Sequence, residues 1–419
     1  MTVELAVIAD DITGACDVAA GVSGAGLDAE VRIGVPGAAP PSDAACVIVA
    51  LKSRTAPVTS AVDESVAAAR VLRGWGARRI YQKYCSTFDS TDAGNIGPVA
   101  DALLAELAPG AVSIGTPATP AARRTMHRGH LFVGDRLLSE SSLAQHPLTP
   151  MRDPDIVRVL GRQTSFLVAS VPIERVHQGP AAIRAQVEAL RARGVRHVLL
   201  DAIDDADLDA AAAALLDVDP GTVLPGGAAG LAVALARRLG SDAASPVRHA
   251  PDGLPLILSG SASERTRAQV AAHDGPVFVL DVDALAADAD GPIAEAVDFV
   301  ASASAVPLVS ATADPARIRR TQERWGAVRA ASLVEGALAR IAAQAVEHHG
   351  IRRILVAGGE TSGAIAAELG VATLRVRRVI APGVAWTTAT DAGGRALDLC
   401  FKSGNFGHEQ LFVDAWEES

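Results

Sequence analysis

Lysine is nearly absent from this chain: Lys52, Lys83 and Lys402 are the three among 38 Lys and Arg residues. Asparagine occurs twice, at Asn95 and Asn405, and tyrosine twice, at Tyr81 and Tyr84. Alanine and arginine are plentiful, so residues that persist against this bias are candidates for work neither can do. A compact ammonium and a planar guanidinium are not interchangeable at a phosphate. The four cysteines, Cys16, Cys46, Cys85 and Cys400, form no C-x-x-C pair, which speaks against a disulfide framework or a zinc site. No apolar run approaches the roughly 18 residues of a membrane span. The first residues also lack a basic stretch leading into a long apolar one. The expectation is a cytoplasmic protein with no membrane partner. A net charge of −10 and a pI of about 5.5 predict no nucleic-acid partner, because phosphate backbones reward clustered Lys and Arg. Anionic small molecules need only a local basic pocket and stay open. Two nucleotide fingerprints are missing as well, G-x-x-x-x-G-K-[ST] and a helix-opening G-x-G-x-x-G. A nucleotide enzyme would need another phosphate loop.

What is present is a long alternation of short apolar runs with alanine-rich helical stretches. Over 419 residues this predicts two α/β domains, each a mainly parallel sheet flanked by helices, with an active-site cleft between them. Strands are expected near 3–8, 31–35, 46–51, 79–84, 111–114, 166–170, 195–201 and 222–224. A second set is expected at 254–258, 277–280, 306–309 and 354–357. The Gly, Ser, Pro and Asp content of 241–253 reads as a linker. It separates a domain at 1–240 from one at 254–419.

Chemistry-bearing residues cluster at the ends of these runs. Asp10 and Asp11 follow the first strand, where paired carboxylates hold Mg²⁺, accept a hydroxyl proton or bind a polyol. Helix capping by Asp11 or Thr13 is the structural alternative. Lys52 and Arg54 follow a second strand. Lys83 and the stretch Tyr84-Cys85-Ser86-Thr87-Phe88-Asp89 follow another, and these groups suit a carboxylate and its hydroxyl neighbours. In the second half, Gly358-Gly359-Glu360-Thr361-Ser362-Gly363 runs from a strand into a helix. Its small residues let backbone N–H groups approach an anion where the helix dipole favours one. An ordinary turn capped by Thr361 or Ser362 would look the same. Ser259-Gly260-Ser261 and Lys402-Ser403-Gly404-Asn405 are further small-residue loops at strand ends. Three of them in one domain favour a phosphate-bearing ligand beyond the carboxyl edge of a parallel sheet.

The segments Ala9-Asp10-Asp11-Ile12-Thr13-Gly14, Lys83 to Pro98 with Gly94-Asn95-Ile96-Gly97, Leu258-Ser259-Gly260-Ser261, Gly358 to Gly363, Pro382-Gly383-Val384-Ala385-Trp386 and Lys402 to Gly407 occur in the order of a known family. The chain resembles the four-carbon acid sugar kinases over nearly its whole length. Within that family Lys83 to Thr91, and His146-Pro147 with Pro150-Met151, look like the 3-oxo-tetronate 4-kinase branch. The resemblance implies an acid-sugar-binding N-terminal domain and a nucleotide-binding C-terminal one. The reaction it implies transfers the γ-phosphoryl group of ATP, with Mg²⁺, to the C4 hydroxyl of a four-carbon sugar acid. Residues expected to meet the acid, from the reading of the strand ends, are Asp10, Asp11, Lys52, Arg54, Lys83, Ser86, Asp89 and Asn95, with Asp11 or else Asp10 at the reacting hydroxyl. Those implied for ATP are Ser259, Gly358, Gly359, Glu360, Thr361 and Gly404. The chain departs from the family pattern at Ala93, at Gly226-Gly227-Ala228-Ala229-Gly230-Leu231, and at Arg123-Arg124-Thr125, where G-R-T is usual. Alternatives to 3-oxo-tetronate are erythronate and threonate. Competing classes are an aspartate-dependent phosphatase, which lacks its D-x-D-x-T here, and a non-enzymatic sugar-acid binder. A homo-oligomer is open.

Overall fold

The computed structural model describes residues 3–37, 44–145, 149–240, 247–312 and 315–417. His146-Pro147 and residues 241–246 of the expected linker lie outside the described residues. The chain divides into two compact units, Met1–Pro246 and Val247–Ser419. Among the described residues no helix is long and apolar enough to cross a membrane.

The apolar runs of the N-terminal unit become strands covered on both faces, as a parallel sheet under helices requires. They are β1 (Leu5–Ala9), β2 (Ala29–Ile33), β3 (Cys46–Ala50), β4 (Ile80–Lys83) and β5 (Val112–Thr116). After a small antiparallel sheet of β6 (Arg124–His127), β7 (His130–Val133) and β8 (Arg136–Leu137) come β9 (Leu167–Val171), β10 (Val195–Leu200) and β11 (Val223–Gly227). The main sheet has the order β2-β3-β1-β4-β11-β5-β10-β9, and every pairing in it is parallel. All five residues of β1 and of β3 are buried. Alanine and glycine allow close helix packing: a Cβ on Gly21, in the helix Ile12–Gly24, would sit 2.4 Å from Val233 of the helix Ala229–Leu239.

The C-terminal unit contains β12 (Leu254–Ser259), β13 (Val277–Val279), β14 (Leu308–Ser310), β15 (Ile351–Ala357), β16 (Thr373–Ala381), β17 (Val384–Thr390) and β18 (Ala396–Lys402). Their order is β13-β14-β12-β15-β18-β17-β16. The first five strands in that order are parallel, and β18-β17-β16 are antiparallel. The fold is therefore the expected mainly parallel α/β class.

The expected strands did not include β6, β7, β8, β16 or β17, and two of their features show why. Thr373–Ala381 carries Arg375, Arg377 and Arg378, which interrupt its apolar pattern. Arg377 is nonetheless housed in the sheet, because its guanidinium forks onto the buried Asp398 at 3.1 and 2.6 Å. The β6–β7 hairpin turns on Arg128 and Gly129, both at positive φ (50° and 75°), the mirror-image turn that suits tight hairpins. Nothing in Arg128 announces that conformation. It is held from outside by Asp201, which accepts the N–H groups of Arg128 (2.6 Å), Gly129 (3.0 Å) and Ile173 (3.1 Å).

Candidate functional site

In the N-terminal unit, Ala50, Ala9, Lys83, Gly227 and Thr116 stand in register at the carboxyl ends of five adjacent strands. The loops that leave this edge carry the candidate residues, where the open α/β sheet rule expects a ligand. Asp11 caps the helix Ile12–Gly24: Gly14 N–H donates to its Oδ1 at 2.7 Å and Thr13 Oγ1 to its Oδ2 at 3.0 Å. Arg54 forks onto Asp10, Nε to Oδ2 at 2.8 Å and Nη2 to Oδ1 at 2.9 Å, and its Nη2 also lies 3.0 Å from Asp11 Oδ1. Asn95 ties down the same loop, donating from Nδ2 to the carbonyls of Ser53 (2.7 Å) and Ala56 (2.8 Å). Its Oδ1 is buried without a donor.

Lys83 is buried and donates to the Tyr84 carbonyl at 2.9 Å. Ser86 is buried in the following turn, and Asp89 accepts from Thr87 Oγ1 (2.6 Å) and Cys85 Sγ (3.2 Å). Phe88, wholly buried between them, sits at φ 56°, a strained setting for a residue with a Cβ and one that collects at functional sites. A cleft is lined by Asp10, Arg54, Lys83, Asp89, Ser90 and Asn95, among others. Lys52 is exposed. Thus Asp10, Arg54, Lys83, Asp89 and Asn95 come together, with Asp11 adjoining.

The charges here are set by burial and by each other. Burial alone would lower the Arg54 pKa, but Asp10 and Asp11 outweigh it and hold it well above its usual value. Burial alone would raise Asp11, yet Arg54, Lys83 and the Gly14 N–H hold it below the usual carboxylate range. Asp11 is therefore a permanent carboxylate at neutral pH. Asp17, an acid on an otherwise largely buried helix, behaves oppositely. Burial pushes it up to about 6, with Lys83 opposing and Asp11 adding to the rise.

The folded pKa of Asp17 lies above its unfolded value, so the native state binds more protons between pH 4 and 6 and stability falls as pH rises through that window. Asp17→Asn is expected to gain about 1–2 kcal/mol over wild type between pH 4 and 7, read from urea midpoints. Parallel pH profiles would show that Asp17 ionises normally. The sequence signal for Asp17 was available, as a lone acid on an apolar helical face. A second residue missed at this edge is Arg124, at the start of β6, for which Cys85, Asp89 and Asp17 are the neighbouring negative or ionisable groups.

In the C-terminal unit, Ser310, Ser259, Ala357 and Lys402 stand in register at the ends of β14, β12, β15 and β18. The three small-residue loops interlock there. A Cβ on Gly260 would meet Thr361 Oγ1 at 2.2 Å, and one on Gly404 would meet Ser261 Oγ at 2.3 Å. Gly260 and Ser261 both donate to the Ala357 carbonyl at 3.1 Å, and Gly358 donates to the Lys402 carbonyl at 3.1 Å. Ser263 Oγ (2.6 Å) and Thr266 Oγ1 (2.8 Å) donate to the Gly404 carbonyl. Ser259 Oγ bonds Thr312 Oγ1 at 2.8 Å. Gly358, at φ 129°, caps the helix Gly359–Glu368 without a side chain, so its first N–H groups have no side-chain cap. Ser259, Gly358, Gly359, Glu360, Thr361 and Gly404 thus share one sheet edge.

Lys402 is fully buried under these loops, with Nζ 3.2 Å from the Gly404 carbonyl and 3.3 Å from Thr266 Oγ1. Burial pushes its pKa down to about 7, with Arg265 acting the same way and Cys400 against it. The unfolded state then binds more protons above pH 7, and stability rises with pH. Lys402 is expected to contribute a rise of about 2 kcal/mol between pH 7 and 9, read as the change in the stability difference between wild type and Lys402→Met. The buried Cys16, Cys46 and Cys85 thiols, pushed up by burial, act in the opposite direction as pH passes the ordinary thiol range, and they do so equally in both proteins. A difference between the two proteins that stays flat from pH 7 to 9 would contradict the Lys402 assignment.

Residues 5–235 match a family model described as a sugar-binding N-terminal domain, and residues 256–412 one described as a nucleotide-binding C-terminal domain. The chain is 46% identical over 422 residues to a 3-oxo-tetronate kinase of Burkholderia multivorans, covering 98% of this chain and 96% of that one. It is 44% identical to that of Pseudomonas fluorescens, covering 98% and 96%. The 3-oxo-tetronate kinase of Salmonella typhimurium is 37% identical, with 99% of each chain covered. A solved structure from Salmonella typhimurium superposes with a TM-score of 0.87 at 35% identity, covering 99% of both chains. One from Haemophilus influenzae gives 0.74 at 36%, covering 98% of both.

Proposed function

Since the chain belongs to the four-carbon acid sugar kinase family, we propose that it transfers the γ-phosphoryl group of ATP to the C4 hydroxyl of 3-oxo-tetronate. That it is a kinase of a four-carbon acid sugar follows from the family; the oxo-acid, the C4 position, ATP and Mg²⁺ are our reading. The observation that carries it is the register-aligned edge of β12, β15 and β18, where three loops of Gly, Ser and Thr crowd together before an uncapped helix. Such an edge suits phosphates: the first helical N–H groups have no side-chain cap, glycine lets backbone approach an anion, and the dipole favours negative charge. Ser259, Gly358, Gly359, Glu360, Thr361 and Gly404 are assigned to ATP on this ground.

Phosphoryl transfer depends on positioning and charge neutralisation more than on a strong base. Asp11 fits that need, because a carboxylate kept ionised can accept the acceptor hydroxyl's hydrogen bond and aim its oxygen. Asp10, fixed by Arg54, shapes the wall beside it. The buried Asn95 Oδ1, with no protein donor, is matched to a hydroxyl of the sugar acid. Lys83, Ser86, Asp89 and Lys52 are assigned to the same substrate. Among the described residues no group of three His, Cys, Asp or Glu could form a metal cage. Mg²⁺ needs none: it keeps waters and takes one or two carboxylates plus substrate phosphates, and Glu360, in the first helical turn, is the carboxylate that would hold it. Bound there, it would neutralise phosphate charge.

The test is an ATP-consumption screen over 3-oxo-tetronates, erythronate and threonate, beside a reaction without acceptor. Turnover on a 3-oxo-tetronate well above the others supports the reading. Turnover confined to erythronate or threonate would replace the substrate and leave the class intact. Phosphate release from phosphorylated sugar acids without ATP would overturn the class.

A further inference from the structure

We propose that Arg124 is the residue that anchors the substrate's carboxylate; this rests on the acid-sugar reading above. Of the cations first credited with that task, Lys52 is exposed, and Arg54 and Lys83 are already engaged. Arg54 spends its fork on Asp10 and approaches Asp11, and Lys83 donates to the Tyr84 carbonyl. Arg124 is different. It enters from the β6 hairpin, beside the loop that bears Cys85 and Asp89 and the helix that bears Asp17. No carboxylate among the described residues lies within ion-pair distance of its guanidinium, which donates through Nη1 to the Ala122 carbonyl alone. Its Nε is buried with no partner.

A desolvated guanidinium carrying an unused donor is costly unless an anion completes it. Burial accordingly pulls its pKa below the usual value. The neighbouring acids do not compete for it: Asp89 is occupied by Thr87 and Cys85, and Asp17 is beyond ion-pair range. Arg is also the side chain whose planar fork matches a carboxylate.

The hairpin holds Arg124 firmly. Met126, two residues along, exchanges backbone hydrogen bonds with Ala202 at 2.8 and 3.0 Å, and Asp201 clamps the turn. Such anchoring suits a residue that must meet one end of a short acid while the other end reacts.

The experiment compares wild type, Arg124→Gln, Arg124→Lys and the control Arg123→Ala, whose side chain is exposed and pairs with Asp135. Kinetics are run with the four-carbon acid and with its C1 amide, and thermal shifts with the acid alone. The anchor role predicts a KM for the acid at least about 10-fold higher in Arg124→Gln, with kcat changed less. Discrimination of acid over amide should collapse, and the acid should no longer raise the melting temperature. Arg124→Lys should keep part of each effect, and Arg123→Ala should match wild type. An Arg124→Gln enzyme that turns over normally and still prefers acid to amide would overturn the proposal. So would one whose melting temperature the acid still raises as it does wild type's. If wild type itself phosphorylates no four-carbon acid while binding ATP, the acid-sugar reading fails instead.

Discussion

Gly358→Val is expected to weaken MgATP binding at least about 100-fold, or roughly 2.7 kcal/mol, while leaving acid binding intact. Gly358 holds φ 129° and ψ 132°, a region open to glycine and closed to a β-branched residue. A Cβ there would lie 3.1 Å from Thr361 Oγ1 and 3.4 Å from Ser261 N. Valine must therefore rotate the peptide that joins β15 to its helix, breaking the Gly358 N–H bond to the Lys402 carbonyl and swinging the helix's first N–H groups aside. The strain is confined to the turn, so acid-induced thermal stabilisation of the N-terminal unit should survive. Calorimetric ATP affinity within threefold of wild type would remove this turn from the nucleotide site.

Asp11→Asn is expected to lower kcat by at least about 100-fold, the low end for losing a group that handles the acceptor proton. The substitution is clean for a structural reason. Asparagine caps helices as well as aspartate does, so the Gly14 N–H bond can be kept. Arg54 retains its two bonds to Asp10, and the loop stays anchored. What disappears is the negative charge that Arg54 and Lys83 stabilise. A purely structural Asp11 predicts near-normal turnover for this variant. A kcat within a few-fold of wild type would therefore assign Asp11 to capping alone.

The strands were legible because burial on both faces demands continuous apolar runs, and Leu5–Ala9, Cys46–Ala50 and residues 354–357 of β15 supply them. The loops were legible because Gly358 and Gly404 sit where a side chain would collide or strain the backbone. Partner choice was not legible. Nothing local in Arg54 says that its fork meets Asp10, 44 residues away, instead of a ligand. Arg124 was hidden for the converse reason. It lies on a two-residue-turn hairpin whose register depends on Asp201, 73 residues from Arg128, and one arginine in an arginine-rich chain carries no mark of being unpaired. Strand β16 escaped because Arg377 looks like a surface residue until Asp398 is seen opposite it.

A crystal structure with a non-hydrolysable ATP analogue and Mg²⁺ tests the nucleotide assignment most directly. The phosphates are expected against the N–H groups of Gly359, Glu360 and Thr361, with Gly404 and Ser259 alongside. Phosphates lodged away from both the Gly358 and Gly404 turns would contradict it.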